Sequence, residues 1–287
     1  MYMLGKGIDR NVQQAMVWTT KAAEQGNTTA QLNLGSAYGG LPGVAKDPAK
    51  SLYWHEKAAA GGNSYAQYLV GIAYMNGNVV KADPVKAFEL FSRSAEQGNR
   101  VGQYHAGFAY ATGKGVARNL SKAMPLFEAS ANQGEQKGQF AMAMAYANGD
   151  AGSVDMVKAR AWLRKAEQGS DHETEAAIGR VYWQGAGLVA DKVKALEFWK
   201  RAAAHGNIES LYVLGYIYSS GDGGITRDAV EALQWLIIAQ RAGHANAHAA
   251  VKGAQGNVLQ ADMDEAVLRA DRWMNMHKKG TTLVPIN

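Results

Sequence analysis

Small and large apolar residues recur along the chain at helical spacing, and that local pattern recurs at a much longer period. Ala30, Leu34 and Tyr38 stand four residues apart on one helical face, and Ala66, Val70 and Tyr74 repeat them. Tyrosines fall at Tyr2, Tyr38, Tyr74, Tyr110, Tyr146, Tyr182 and Tyr218, each 36 residues after the one before. A glycine follows three residues later at Gly5, Gly77, Gly113, Gly149, Gly185 and Gly221, with Leu41 as the departure. A second glycine column runs Gly26, Gly62, Gly98, Gly134, Gly169, Gly206 and Gly243. Nothing alternates with period two, so the pattern predicts helices alone, in stacked repeats.

Each column has a physical reason. Asn11, Asp47, Asp83, Asn119, Asp155, Asp191 and Asp228 predict the start of one helix, here helix B, because their side chains accept free N–H groups. Pro48 and Pro84 follow two of them, at the one helical position that welcomes proline. Inside helix B a small residue (Ala15, Ser51, Ala87, Ala123, Ala159, Ala195, Ala232) precedes a bulky one by three places (Trp18, Trp54, Leu90, Leu126, Trp162, Phe198, Trp235). That pairing predicts a closely packed face, with Trp162 and the repeat tyrosine Tyr110 buried at repeat contacts. The second glycine column predicts a left-handed end to helix B. Helix A precedes the tyrosine and carries its own small column, Gly35, Gly71, Gly107, Ala143, Gly179 and Gly215. Glycine inside a helix costs about 1 kcal/mol relative to alanine. Its recurrence therefore predicts helices that approach too closely for a side chain.

The motif Ala-x3-Leu-Gly-x2-Tyr-x2-Gly, then Asp-x2-Lys-Ala-x2-Trp-x2-Lys-Ala-Ala-x2-Gly, resembles the SEL-1-like repeat family, a relative of the tetratricopeptide repeat. The stretch from Ala66 through Tyr74, Asp83 and Lys86–Ala87 to Gly98 carries it, and the likeness covers about residues 1–243. Two departures, Trp162 seven residues before Gly169 instead of eight and one extra residue in the Gly221–Gly224 loop, shift the expected register by one position. The resemblance implies an all-α, right-handed α/α superhelix, a solenoid of helix-turn-helix repeats, from a bacterial protein. It also implies an adaptor that binds protein partners on a concave face lined by helix A, in the periplasm or secreted. A few relatives credited with activity supply the alternative, an envelope enzyme or peptidoglycan-directed protein on the same fold.

Residues 1–26 read as a partial repeat, 27–243 as six repeats and 244–287 as a half-repeat with a capping helix over Asp262–Lys279. Because residue 2 already belongs to the pattern, the chain reads as a piece of a longer protein. With 47% hydrophobic and 19% charged residues there is ample material for a core. The net charge of +5 is scattered, its densest groups being Arg164–Lys165, Lys200–Arg201 and Lys278–Lys279. Such pairs are solvated helix faces, and no nucleic-acid partner is expected. The absence of cysteine excludes disulfides and thiolate metal sites. The most apolar run, Trp235 to Ala239, is far short of the ~20 residues that span a bilayer, so no membrane insertion is expected.

No catalytic or cofactor motif appears, and the expectation is a non-enzyme without cofactor or metal. Gly113-Lys114-Gly115 sits at the loop position of a repeat and reads as a turn. His244 and His248 have the spacing of two imidazoles on one helix face, yet neither a following glutamate nor a cysteine supports a metal site. Glu173 and Glu175 read as exposed helix residues, and the sequons at Asn27 and Asn119 as chance matches. The repeats also stand in for an alignment: positions nine, five and two before each tyrosine share one face of helix A and vary freely. The column Leu32, Tyr68, Tyr104, Phe140, Ala176, Tyr212 beside them stays apolar and reads as packed. The variable stripe nominates Tyr65, Ile72, Phe108, Met144, Arg180 and Tyr216 as partner contacts. Trp183 joins them because its column otherwise holds Gly39, Met75, Ala111, Ala147 and Ser219. A monomer is expected.

Overall fold

The structure, a computed structural model, describes residues 11–185, 190–255 and 258–277. Tyr2, Gly5 and Lys278–Lys279 lie outside the described residues, as does the expected loop entry at 1–9. Among the described residues there are fifteen α-helices and no strand. The B helices are α1 (Val12–Glu24), α3 (Pro48–Ala60), α5 (Pro84–Glu96), α7 (Leu120–Asn132), α9 (Met156–Ala166), α11 (Lys192–Ala204) and α13 (Ala229–Arg241). They alternate with the A helices α2 (Thr28–Gly40), α4 (Ser64–Asn76), α6 (Arg100–Thr112), α8 (Gln136–Asn148), α10 (His172–Gln184), α12 (Ile208–Ser220) and α14 (Ala247–Gln255). A last helix, α15 (Gln260–His277), follows. Contacts group the chain into two compact units, residues 1–142 and 143–287, each described by itself.

Both helix types begin on a side-chain cap. In the B helices Asn11, Asp47, Asp83, Asn119, Asp155, Asp191 and Asp228 each accept the N–H three residues on, at 2.9–3.0 Å. The A helices have a cap column of their own that the sequence reading did not name. Asn27, Asn63, Asn99, Asp171 and Asn207 accept at 2.8–3.0 Å. Asn27 and Asn119 are thus both capping residues. The connecting loop is stapled as well: the B-helix cap donates its own N–H to the repeat tyrosine carbonyl, from Asp47–Tyr38 to Asp228–Tyr218, at 2.8–3.0 Å. The extra residue of the 221–224 loop is taken up by a 3-10 turn over Asp222–Gly224, and the staple survives.

The glycine column of helix A faces a large side chain on the following helix B. A Cβ on Gly71 would stand 2.5 Å from the Phe91 ring, one on Gly107 3.0 Å from Phe127, and one on Gly35 2.4 Å from His55. In the second unit Gly179 faces Trp199 and Gly215 faces Leu236, at 2.8 and 2.7 Å. At these five positions the helices close to a distance that crowds out a Cβ, and the facing side chain fills the space, whereas α8 carries the small Ala143 at the same place. The buried column of helix B is thus Phe91, Phe127, Leu163, Trp199 and Leu236, one residue after the one expected. One residue turns a helix by about 100°. The expected column lies at the edge instead: Trp18 is 53% exposed and Trp162 half-buried, while Phe198 and Trp235 alone are buried. A cation three residues on covers these rings. Lys21 lies 4.8 Å over Trp18, Lys165 3.8 Å over Trp162 and Arg201 4.8 Å over Phe198. Tyr110 is half-buried, edge-on to Phe88 and beneath Lys122.

Polar rungs tie the A helices to the B-helix ends on either side of them. Gln31 and Gln67 donate to the carbonyls of Ala23 and Ala59, and Gln97 and Gln133 donate to Gln67 and Gln103 at 2.8 Å. In the second unit the same position holds Glu175, which is fully buried, not exposed as the sequence reading had it. Its column faces the preceding helix end, whereas Glu173 points to solvent. A carboxylate cannot donate to that end, and Arg201 does so instead. Arg201 donates to the Glu167 and Gly169 carbonyls at 3.1 and 2.7 Å and pairs with Glu175 at 2.9 Å, where His205 also binds at 2.7 Å. This arrangement accompanies the one glycine of its column without positive φ, Gly169, which stands a place early. The cap at Asp171 and the tyrosine at Tyr182 keep their spacing, so the early glycine shifts no register, whereas after the 221–224 loop the cap at Asp228 stands one place late.

The chain end packs onto α13, whose residues 232–239 are all buried beneath α12, α14 and α15. Ala266 and Ala270 of α15 are fully buried, and Trp273 meets Trp235 edge-on at 5.6 Å.

Two stability outcomes follow from this packing. Leu163→Ala should cost about 2–5 kcal/mol, and Trp162→Ala, at the edge, clearly less. Chemical denaturation of both variants checks the ranking, and a larger loss for Trp162→Ala would contradict the burial column. His55 is half-buried, and burial holds its pKa below the ordinary value. The unfolded chain therefore binds more protons below about pH 6.5, and the His55 contribution to stability is lost as pH falls through that range. His55→Phe, which restores the ring found at Phe91 and Phe127, should remove that part of the acid sensitivity in melting curves. An unchanged slope would contradict it.

Candidate binding surface

With the glycine face of helix A turned to helix B, its variable stripe lies at or near the surface. Tyr65 is 44% exposed, Phe108 38% and Tyr216 55%, and Arg180 is exposed as well. Ile72, Met144 and Trp183 are half-buried. Ile72 packs beside Met75 against the Phe91 cluster, and Trp183 lies against Trp199 at 5.4 Å between ring centroids.

In the first unit the structure joins several of these rings into one aromatic band. Tyr65 meets Tyr68 at 5.5 Å, Tyr68 meets His105 at 5.1 Å, and Tyr104 meets both His105 and Phe108, at 5.0 and 6.1 Å. Phe91 and Phe127 form its floor, 6.4 Å from Tyr68 and 5.9 Å from Tyr104. Tyr68 and Tyr104, from the column read as packed, are half-buried and so serve both core and surface. Their identity was the available signal, since tyrosine carries a polar edge that is best left wet. In the second unit Tyr212 stacks on His244 at 4.2 Å, and a cavity of about 470 Å³ opens beside Tyr216.

The chemistry-bearing residues are otherwise accounted for by structure. His244 precedes α14 and pairs with Glu209 at 3.1 Å, while His248 meets Gln240 at 2.8 Å. The two imidazoles do not share a helix face because the helix begins only at Ala247. A lysine covers the repeat tyrosine in five repeats, from 4.0 Å at Tyr74 to 5.5 Å at Tyr38 and Tyr110. Tyr182 also donates to Glu167, and burial followed by that bond raises its pKa. Burial works to lower the pKa of Lys194, but its bonds to Tyr182 and Glu167 outweigh that and raise it. At Tyr218 the signs exchange: Lys200 of the preceding B helix lies 5.3 Å over the ring, and Glu231 takes the usual lysine position, 3.4 Å from Lys200. Among the described residues no helix is long and apolar enough to cross a membrane.

Seven consecutive segments match the Sel1 repeat model: residues 1–27, 28–63, 64–99, 101–135, 136–171, 172–207 and 208–244. The chain is similar to c5321, a protective antigen present in uropathogenic Escherichia coli strains displaying an SLR fold. The two share 29% identity with a TM-score of 0.71; the match covers 96% of this chain, which spans 60% of the length of c5321. A Sel1 repeat protein from Oxalobacter formigenes is 29% identical with a TM-score of 0.63, over 80% of this chain and 94% of that one. Immunity protein Pa5087 from Pseudomonas aeruginosa shares the fold at 14% identity and a TM-score of 0.51, over 90% and 88% of the two chains. Among curated proteins no sequence match was found. The chain belongs to the Sel1 repeat family, and its fold is the α/α solenoid of helix-turn-helix repeats.

Proposed function

We infer that this chain is a non-catalytic scaffold that holds a protein partner on the exposed faces of its A helices. One observation carries the reading. The large aromatics Tyr65, Phe108 and Tyr216 remain exposed on the variable stripe, although glycine, cap, loop and lysine columns account for most recurrent residues. Exposed aromatic groups backed by a rigid floor are what binding hot spots are made of. Tyr65 and Phe108 anchor the contact in the first unit, Arg180 and Tyr216 in the second. Ile72, Met144 and Trp183 add their exposed edges. The Glu175–His205 pair does not support the enzyme alternative, because it replaces a glutamine–glutamine rung and is spent on Arg201 and a helix end.

Affinity capture from bacterial envelope extract, followed by titration of the purified captured protein, tests the reading. Tyr65→Ala/Phe108→Ala should weaken that interaction at least tenfold, with melting almost unchanged, and Tyr216→Ala should do so to a smaller degree. Full affinity in the folded variants would contradict the stripe, and a collapse of melting would assign these rings to the core.

A further inference from the structure

The repeats disclose what one of the surface cavities is shaped to hold. In the α10–α12 repeat the residue after the repeat tyrosine is Trp183, whose indole lies against Trp199. Lys192 stands 4.1 Å over that ring. Across from it sits Gly223, where a Cβ would come within 2.6 Å of the indole. The groove, the ring and the cation over it form one unit.

One repeat later the same three positions hold smaller side chains. Ser219 follows Tyr218 in place of Trp183, Ala229 follows the cap in place of Lys192, and Leu236 forms the floor in place of Trp199. Ser219, Ala229 and Leu236 all line the cavity of about 470 Å³. Its opposite wall is equally cut back. On α14 the positions that continue the variable stripe are Ala250 and Gly253, and both line the cavity. A Cβ on Gly253 would meet nothing within 4 Å. Tyr212 and Tyr216 stand at one side, and Arg227, which lines the same cavity, donates its Nε to the Ser220 carbonyl at 2.7 Å. Apolar walls with a few converging polar groups are the usual form of a ligand site. A cation beside an apolar space with room for a ring favours an aromatic occupant.

We propose that the α12–α14 cavity receives an aromatic side chain, an indole or phenol presented by a peptide segment of the partner, seated as Trp183 is seated one repeat earlier. The source of the ring rests on the scaffold reading; the affinity of the cavity for the ring does not. A ¹⁹F NMR titration of the full chain with N-acetyl-5-fluorotryptophanamide tests it directly. Wild type should show one saturable site. Ser219→Trp, which supplies an indole from within as Trp183 does one repeat earlier, should weaken the probe at least tenfold while keeping or raising the melting temperature. Gly253→Leu fills the cavity from the other wall and serves as the second variant should Ser219→Trp fail to fold. Absence of saturable binding to wild type, or undiminished binding to a folded filled variant, would overturn the proposal. The scaffold reading would still stand in that case if the Tyr65/Phe108 variant loses its partner.

Discussion

The fold depends on one close approach, that of the helix A glycine to the large side chain of the next helix B. Gly71 on Phe91, Gly179 on Trp199 and Gly215 on Leu236 stand too close for a Cβ unless the facing side chain shifts, and Gly107 on Phe127 is at the limit. Burying such a side chain is worth roughly 1.5–3 kcal/mol, against about 1 kcal/mol for placing glycine in a helix. The exchange is favourable in every repeat that makes it. It also fixes the rotation of helix A, which sends the variable stripe away from helix B. The exposed aromatics are therefore a consequence of the same packing that buries the core.

Because the repeats share this frame, a change in one of them can be seen to draw a compensating change nearby. Ser94 and Ser130 bond to carbonyls of the preceding A helix, and the helix packed on each has glycine at the contact, Gly102 and Gly138. Where Gln gives way to Glu175, Arg201 and His205 appear beside it. Where the lysine over the repeat tyrosine becomes Glu231, Lys200 takes over the ring. At the Ser219 cavity small side chains stand where Trp183 and Lys192 stand one repeat earlier, and the described residues that line it leave it open.

The sequence made much of this legible and missed the rest for physical reasons. Strictly spaced glycine, tyrosine and Asn/Asp columns report backbone requirements that few residues meet, so helices, loops and close approach could all be read from them. The facing side chain lies one residue beyond the expected column: Trp54 and Trp162 outsize His55 and Leu163 beside them, while Phe91, Phe127 and Trp199 outsize the residues that precede them. A tryptophan at the edge under a lysine stem is as recurrent as one in the core. The charge of Glu175 argues for exposure, whereas its column, with glutamine at Gln31, Gln67, Gln103 and Gln139, argues for burial or half-burial. The variable stripe marks Tyr65, Phe108 and Tyr216, which are exposed, whereas the apolar column of Tyr68 and Tyr104 hides that these two are only half-buried. The cavity could not be read at all, since it arises from small residues on two helices brought together only by folding.

A double-mutant cycle on Gly71 and Phe91, read by equilibrium denaturation, tests the close approach most directly. The account predicts that Gly71→Ala destabilises the wild-type chain, where its Cβ meets the ring, and is neutral or stabilising in a Phe91→Ala background, where the helix preference for alanine is left uncontested. Equal effects of Gly71→Ala in the two backgrounds would contradict it.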